Sequence, residues 1–170
     1  MEQNKFKRLW KHWQYPRWRV EQFFPTAALQ NISRKIAESE RKHAGQIRFV
    51  VEARFDSAAV LAGITPHQRA LQWFGELGVW DTEHNCGVLV YVSFADRAVE
   101  IVADRGISRK VPQEEWQNIC RTVSDAFSNG RYPEGLQQGL EEADALLSAL
   151  FPRVGGRDYP DDLANEVVLA

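Results

Sequence analysis

Oxygen-bearing side chains occur in two short loops of this chain and could together hold a divalent cation. Asp81, Glu83 and Asn85 alternate within the loop DTEHN, and Asp104 and Arg105 follow a later apolar segment. Carboxylate, amide and carbonyl oxygens are the ligands that Ca²⁺ and Mg²⁺ prefer. Asp81, Glu83, Asn85 and Asp104 are therefore the candidate metal ligands. Asp104 and Arg105 are the candidate catalytic residues, because a bound cation and a guanidinium can stabilise negative charge that develops in a reaction.

Other interpretations of these loops stay open. His84 could bind zinc, although the sequence places no second histidine close to it. Asp81 and Asn85 could instead hydrogen-bond their own backbone as turn residues, and Asp104 could pair with an arginine. The spacing is not that of an EF-hand, because the loop lacks the glycine at its sixth position and the closing glutamate.

Familiar catalytic signatures are missing from the sequence. It has no Gly-Lys pair for a phosphate-binding loop, no zinc-protease pattern among its four histidines and no Gly-x-Ser-x-Gly elbow. Val92 and Ala126 stand six positions after Cys86 and Cys120, which excludes a Cys-x5-Arg phosphatase. Two cysteines are too few for a disulfide framework, and we interpret both as buried thiols.

Two strands and a hairpin must position the two loops. Residues 46–55 alternate apolar and polar side chains, residues 87–94 are almost entirely apolar, and residues 98–103 return after a turn. Helical patterns begin at Thr26, at Thr65 with Pro66, at Pro112 and at Pro133, with both threonines as expected caps. This order predicts an α/β fold, a three-layer α/β/α sandwich with a small mixed sheet.

The direction of the strands decides which loops meet. The first two strands are joined through a helix, so we expect them to be parallel. Their starts and the end of the third strand then lie at one edge of the sheet, which gathers Gln46, residues 81–85 and Asp104 with Arg105. Asp96 and Arg97 lie at the opposite edge, where we expect Asp96 to hydrogen-bond within the hairpin turn.

Length and composition favour one domain with an extension at each end. The chain has 170 residues, a mass of 19.5 kDa and 44% hydrophobic residues, enough for one buried core. We assign residues 1–25 to a basic, Trp-rich N-terminal extension, 26–152 to the folded domain, and 153–170 to a flexible or loosely docked C-terminal tail. The balance of 21 Lys and Arg against 23 Asp and Glu excludes the uniform basic surface of a nucleic-acid-binding protein. The oligomeric state does not follow from these patterns.

The N-terminal extension has its own composition. It carries six cations against two acids, a net charge of +4, interleaved with Trp10, Trp13 and Trp18. Such a segment is typical of contact with an anionic membrane surface or a membrane protein, but the same rings could pack on the domain. The chain has neither an apolar stretch of ~18 residues nor a signal peptide. We therefore expect a cytoplasmic protein, peripheral to a membrane if the extension binds one.

The run GVWDTEHNCGVLVYVSFADRAVEIVADRGI, followed by GRYPEGLQQGL, resembles the TPM domain, a family that includes thylakoid-lumen proteins linked to photosystem repair. The likeness covers about residues 26–152 and is most specific at residues 78–81, Asn85, residues 87–89, Asp96 with Arg97, and Gly106. It implies an α/β/α sandwich, calcium binding at acidic loops and, for some members, acid phosphatase activity.

The resemblance also implies Asp81 and Asn85 as the best-matching site positions, and the chain departs from the family elsewhere. Asp104 stands where many members have glycine, and Gln46 stands where close relatives carry glutamate. We expect this member to lack the export signal and membrane helix common in the family.

Two functions follow as hypotheses. The first is an interaction module that binds Ca²⁺ or Mg²⁺ and acts at or near a membrane or membrane protein through residues 1–25. The alternative is a metal-dependent acid phosphatase acting on phosphomonoesters, in which Asp81, Asn85 and Asp104 hold the metal and Arg105 stabilises the transition state.

Overall fold

The computed structural model describes residues 5–170. Its elements are α1 (Lys5–Gln14), α2 (Arg17–Glu21), α3 (Thr26–Ser39), β1 (Gln46–Glu52), α4 (Ser57–Ala62), α5 (Pro66–Glu76), β2 (Gly87–Ser93), β3 (Ala98–Ala103), α6 (Arg105–Ser108), α7 (Gln113–Ser128), α8 (Tyr132–Leu150) and β4 (Val168–Leu169). The strands form one sheet in the order β3-β2-β1-β4. β1 runs parallel to β2 and β4, whereas β2 and β3 are antiparallel. The predicted α/β fold with a small mixed sheet is confirmed.

Helices cover both faces of the sheet because side chains of a strand alternate between its two faces. Ile47, Phe49 and Val51 of β1 pack with α3, α7 and α8. Val50 packs instead with side chains of α1, α4 and α5 on the other face. Every residue of β2 is buried, which accounts for the uninterrupted apolar sequence of this central strand.

The predicted helix caps are right at α5 and wrong at α3. Thr65 accepts a hydrogen bond from the backbone N–H of Gln68 in a capping box, and Pro66 is the first helical residue. Thr26, in contrast, is itself the first residue of α3, and Pro25 occupies the cap position without a side-chain cap.

Several boundaries depend on contacts that sequence patterns do not report. β1 ends at Glu52, before the predicted end at Phe55, because the backbone N–H of Phe55 donates to Nδ1 of His12 in α1. The short helices α4 and α6 were not predicted, and each begins after an aspartate cap, Asp56 and Asp104 respectively.

Both ends of the described chain pack against the domain. Val20 of α2 and the following Phe24 are buried in the core, and α1 contacts α4. At the other end β4 pairs with β1, giving Val50↔Val168 and Val51↔Leu169. The flexible or loosely docked tail stays a prediction; in the structure its last residues pair with Val50 and Val51 on one edge of β1. Across residues 5–170, no helix combines the length and apolar character needed to cross a bilayer.

Candidate functional site

The two predicted loops meet at one edge of the sheet. Gln46 and Gly87 are paired at the start of the parallel strands, and Ala103 ends β3 beside Val88. The backbone N–H of Gly106 donates to the carbonyl of Asn85 at 2.9 Å. A Cβ at position 106 would overlap that carbonyl, so glycine is what permits the two loops to approach this closely. We call this region the loop edge: residues 81–85, residues 104–106 and Gln46.

Asp104 and Arg105 have distinct roles at the loop edge. Asp104 Oδ1 accepts from the backbone N–H of Arg105 at 2.7 Å and caps α6. Its second oxygen, Oδ2, is buried and lacks a hydrogen-bond partner among residues 5–170. Arg105 Nε donates to Oδ1 of Asn85 at 2.9 Å. The amide oxygen of Asn85, which was expected to bind a metal ion, therefore already accepts a hydrogen bond from the guanidinium of Arg105.

The remaining predicted ligands are exposed. Asp81 and Glu83 point their side chains to solvent, and no hydrogen bond of either side chain is found in the described chain. His84, considered for zinc, donates from Nε2 to the carbonyl of Asp158 at 3.1 Å. The loop is held instead by Thr82, a residue that sequence reasoning missed, whose hydroxyl accepts from the backbone N–H of Cys86 at 2.9 Å.

The predicted ligands do not form a complete metal site as arranged. Within residues 5–170, no three His, Cys, Asp or Glu side chains are placed to hold one ion together. Asp104 offers one unpartnered buried oxygen, but the oxygen of Asn85 is occupied by the guanidinium of Arg105. A hard cation needs six or more oxygens, so loop carbonyls, water or moved side chains would have to supply most of them.

The C-terminal tail crosses the loop edge and is held there by Gln46. The Gln46 amide donates to the carbonyl of Pro160 at 3.0 Å and accepts from the backbone N–H groups of Asp162 and Leu163 at 2.8 and 2.9 Å. Asp162 Oδ2 in turn accepts from the backbone N–H of Glu83 at 3.1 Å. Only a side chain that both donates and accepts can make these three hydrogen bonds. An ionised carboxylate at position 46 could accept from the two N–H groups but could not donate to the Pro160 carbonyl.

Neither thiol in the described part of the chain, Cys86 at the loop edge or Cys120 on α7, is an activated nucleophile. Burial raises the pKa of the Cys86 thiol and raises that of Cys120 to about 12, so neither is a thiolate near neutral pH. Cys86 is buried, as predicted, and Cys120 is partly buried. Burial also raises the pKa of Glu40 to about 8, against the hydrogen bond that its carboxyl accepts from Ile47 N.

A second polar cluster lies at the opposite edge, around Asp96 in the hairpin turn. Arg8 of α1 donates to both carboxylate oxygens of Asp96, at 2.9 and 2.8 Å, and Ser93 donates at 3.2 Å. His12 Nδ1 accepts from Phe55 N, so the Nε2 proton faces Asp96 Oδ1 at 3.2 Å. The prediction that Asp96 hydrogen-bonds within the hairpin turn is right for Ser93 alone. The main partner of Asp96 is Arg8, which lies 88 positions away in the sequence.

The electrostatics of Asp96 follow from these contacts. Burial alone would raise the pKa of Asp96, but the hydrogen bonds from His12 and Arg8 and the charge of Arg8 outweigh it and hold that pKa well below its usual range. The Asp96 side chain is 10% exposed and that of Arg8 is 12% exposed. This ion pair therefore ties α1 to the hairpin turn from a largely dry position.

The outer side of α1 carries large exposed rings. Phe6, Trp10 and Trp13 are four and three positions apart and so share one face of the helix. Trp10, Trp13 and Trp18 are 59–66% exposed, and the rings of Trp10 and Trp13 lie 5.3 Å apart. The opposite face holds His12 in the core and Leu9 against the apolar cluster beneath it. The extension thus docks on the domain with one face and presents aromatic rings with the other.

Three solved structures are similar to this chain. The NMR structure of the BA42 protein from Bizionia argentinensis shares 28% identity with a TM-score of 0.75, over 88% of this chain and 97% of that one. The N-terminal domain of a P. gingivalis protein shares 19% identity, with a TM-score of 0.62 over 76% of this chain and 79% of that one. The N-terminal domain of cg2496 from Corynebacterium glutamicum shares 14%, with a TM-score of 0.57 over 79% and 78%. The latter two show likeness of fold alone.

No curated protein matches the chain. The family profile described as the TPM domain matches residues 20–146, which is most of the folded region. This match agrees with the motifs in the loops and hairpin, and it confirms the resemblance seen in the sequence. The chain belongs to the TPM domain family.

Proposed function

We propose that this TPM domain is an interaction module that docks on an anionic membrane surface through α1 and α2. The observation that carries the proposal is the two-sided character of α1, whose inner face is bonded to the domain while its outer face exposes aromatic rings. We call the outer face, with Trp18, the aromatic–basic surface: Phe6, Lys7, Trp10, Lys11, Trp13 and Trp18. Contiguous exposed aromatic side chains of this kind mark interaction sites.

The charges around these rings favour an anionic lipid surface as the occupant. α1 has no acidic residue, and Lys7 and Lys11 are exposed beside the ring face. Arg19 and Arg54 line a groove together with Trp13 and Trp18. Indole rings partition to the headgroup level of a bilayer while cations meet lipid phosphates. Each lysine near such a surface contributes about 1 kcal/mol of attraction.

Rigid docking of α1 makes this surface ready for binding. A helix of ten residues is marginal in water by itself. Here the ion pair of Arg8 with Asp96 and the burial of His12 hold it folded before any membrane is met. Membrane binding therefore does not have to supply the conformational entropy of folding α1. This favours binding even by a short row of aromatic side chains.

Vesicle co-sedimentation tests the proposal. We expect the full chain to sediment with phosphatidylcholine vesicles that contain phosphatidylserine and to bind pure phosphatidylcholine much more weakly. The double variant Lys7→Glu and Lys11→Glu should weaken binding by about 30-fold or more, from about 1 kcal/mol for each lysine lost. Trp10→Ala with Trp13→Ala should also lose binding.

A matched control uses another exposed indole. Trp80 is 55% exposed but lies next to the loop edge, at the opposite end of the parallel strands. Trp80→Ala should bind vesicles as the unmodified chain does. Equal sedimentation with both vesicle types, or a Trp10 and Trp13 variant that binds normally, would refute membrane docking and leave a protein partner for this surface.

Cation binding at the loop edge is a second part of the proposal, supported by the unpartnered buried Oδ2 of Asp104. We expect Ca²⁺ or Mg²⁺ to shift amide resonances in residues 81–85, 104–106 and 158–163. Asp104→Asn should abolish these shifts and Asp81→Asn should weaken them. Asp125→Asn, which changes an exposed residue of α7, should leave them unchanged. Shifts confined to other segments, or none at millimolar cation, would contradict it.

Phosphatase activity rests on the same cation and on fewer observations. Arg105 is bonded to Asn85, and no thiolate or other activated nucleophile occurs at the loop edge of the described chain. We derive no catalytic step from this arrangement. The metal-dependent acid phosphatase therefore remains a prediction, to be tested by hydrolysis of a generic phosphomonoester with Ca²⁺, Mg²⁺ or Mn²⁺ and by Asp104→Ala.

A further inference from the structure

A cavity of about 480 Å³ opens beside the hairpin turn, away from both the loop edge and the aromatic–basic surface. It lies between the turn that joins β2 to β3, the end of α7 and the start of α8, with Tyr15 at its rim. Its size falls within the range of small-molecule sites. Nothing in the proposed membrane docking or cation binding uses it.

Aromatic rings form a continuous wall of this cavity. Phe94 lies 5.4 Å from Tyr15 and 5.2 Å from Tyr132, and Tyr132 lies 5.2 Å from Phe127, measured between ring centroids. Phe23, which is partly buried, stacks on Phe94 at 5.5 Å. Such a wall offers flat apolar surface, which suits a planar ligand.

Arg97 also lines this cavity, with its side chain exposed to solvent. Within residues 5–170 its guanidinium has neither a hydrogen-bond nor an ion-pair partner. The adjacent acid, Asp96, cannot serve, because both of its oxygens accept from Arg8 and face His12 and Ser93. Arg97 has a left-handed backbone with φ of 54°, a conformation that turns normally assign to glycine or asparagine. The turn geometry alone does not call for arginine.

The start of α8 borders the same cavity through Tyr132, and few of its amides are free, because Pro133 has no N–H and Gly135 N donates to Arg131 O. The carbonyl groups at the end of α7 are satisfied, since Ser128 Oγ donates to Ser124 O and Asn129 Nδ2 donates to Asp125 O. The first amides of the 19-residue α8 have no side-chain cap. Glu134 stands in the first turn of α8 but does not line the cavity.

We propose that this cavity binds a small organic anion with a flat apolar body, such as an aromatic carboxylate. The ring wall of Phe94, Phe127 and Tyr132 contacts the body, and Arg97 pairs with the anionic group. The inference stands apart from the proposed membrane docking, because it uses neither the exposed face of α1 nor the loop edge.

The test titrates the full chain with 2-naphthoate and, as a matched neutral probe, 2-naphthamide, followed by residue-resolved amide spectra. We expect shifts in residues 93–99 and 124–132, and about ten-fold tighter binding of the carboxylate, the value of one charge-assisted hydrogen bond. Arg97→Gln should remove this preference and leave binding of 2-naphthamide unchanged. Arg109→Gln, which removes an exposed arginine outside the cavity, should leave both affinities unchanged.

A second variant checks the location independently of charge. Ser124→Trp places an indole in the cavity and should abolish binding of both probes while the dispersed amide spectrum shows a folded chain. Shifts confined to α1 and α2, equal affinity for the two probes, or no shifts in residues 93–99 and 124–132 would each overturn the proposal.

Discussion

Removing the carboxylate of Asp96 is the sharpest test of how the N-terminal helix is held. In Asp96→Ala, Arg8 loses two hydrogen bonds of 2.9 and 2.8 Å, and the Nε2 proton of His12 loses the oxygen 3.2 Å away. The Arg8 guanidinium then lies unpaired in a largely dry position, because Arg8 is 12% exposed, and the Nε2–H of His12, which is 2% exposed, loses the oxygen that it faces. We therefore expect α1 to separate from the domain more easily.

The expected loss of stability follows from the burial of the pair. Removing one partner of a buried, hydrogen-bonded ion pair costs about 3–5 kcal/mol. An exposed fraction near a tenth places this pair toward the lower end, so we expect about 3 kcal/mol of lost unfolding free energy. For a chain of this length, that corresponds to a fall in Tm of about 6–10 °C.

The same pair predicts a pH dependence. Contacts in the folded state hold the pKa of Asp96 below its unfolded value, so the stabilisation is complete above pH ~4 and is lost as the pH falls toward the folded-state pKa. Asp96→Ala should therefore lose less stability at strongly acidic pH than at neutral pH. A constant difference across the acid range would contradict this assignment.

Denaturant unfolding and amide hydrogen exchange measure the effect. Asp125→Ala, an exposed acid on α7, serves as the control and should change stability by less than about 0.5 kcal/mol. The double variant of Arg8→Ala with Asp96→Ala should lose about 2 kcal/mol less than the two single changes together. Additive losses, or an Asp96→Ala chain as stable as the control, would refute the role of this pair.

Three further changes probe other parts of the fold. Gly87→Ala forces a Cβ against the carbonyl of Val79, and we expect more than about 2 kcal/mol of destabilisation in denaturant unfolding. Glu40→Gln should raise Tm at pH 8 more than at pH 5. The pKa of Glu40 is raised to about 8 in the folded state, so the stability of the unmodified chain falls as the pH rises from the unfolded-state pKa toward 8. An equal change in Tm at both pH values would contradict the raised pKa. Gln46→Ala removes the amide that holds the tail, so amide exchange in residues 158–164 should speed up, and unchanged protection there would show that β4 alone holds the tail.

Much of the fold could be predicted because burial leaves a local trace in the sequence. The apolar run of β2 reports a strand covered on both faces, and the hairpin turn that follows is marked by its polar residues. A helix between β1 and β2 implied parallel strands, and this brought Asn85 together with Asp104 and Arg105 as predicted.

The loops that form the candidate site were predicted, but the side-chain contacts within it differ from those expected. Strand direction places loops at an edge, but side chains within those loops choose among several partners of similar strength. Asn85 contacts Arg105 rather than a set of acids, and Asp162, more than a hundred positions from Gln46, reaches the same edge. Spacing in the sequence does not encode such pairs.

The amino-acid sequence by itself determined the order of the main helices and strands from α3 to α8, the direction of the strands and the membership of a family, because each depends on short-range periodicity or on contiguous motifs. It did not determine α4, α6 or β4. Only the tertiary structure decided that Arg8 and His12 bind Asp96, that the tail lies across Gln46, and that Arg97 is left unpaired beside an aromatic cavity. These outcomes depend on three-dimensional proximity between distant segments. A charged side chain pairs with whichever partner the packed backbone brings within about 3 Å, whatever its place along the chain.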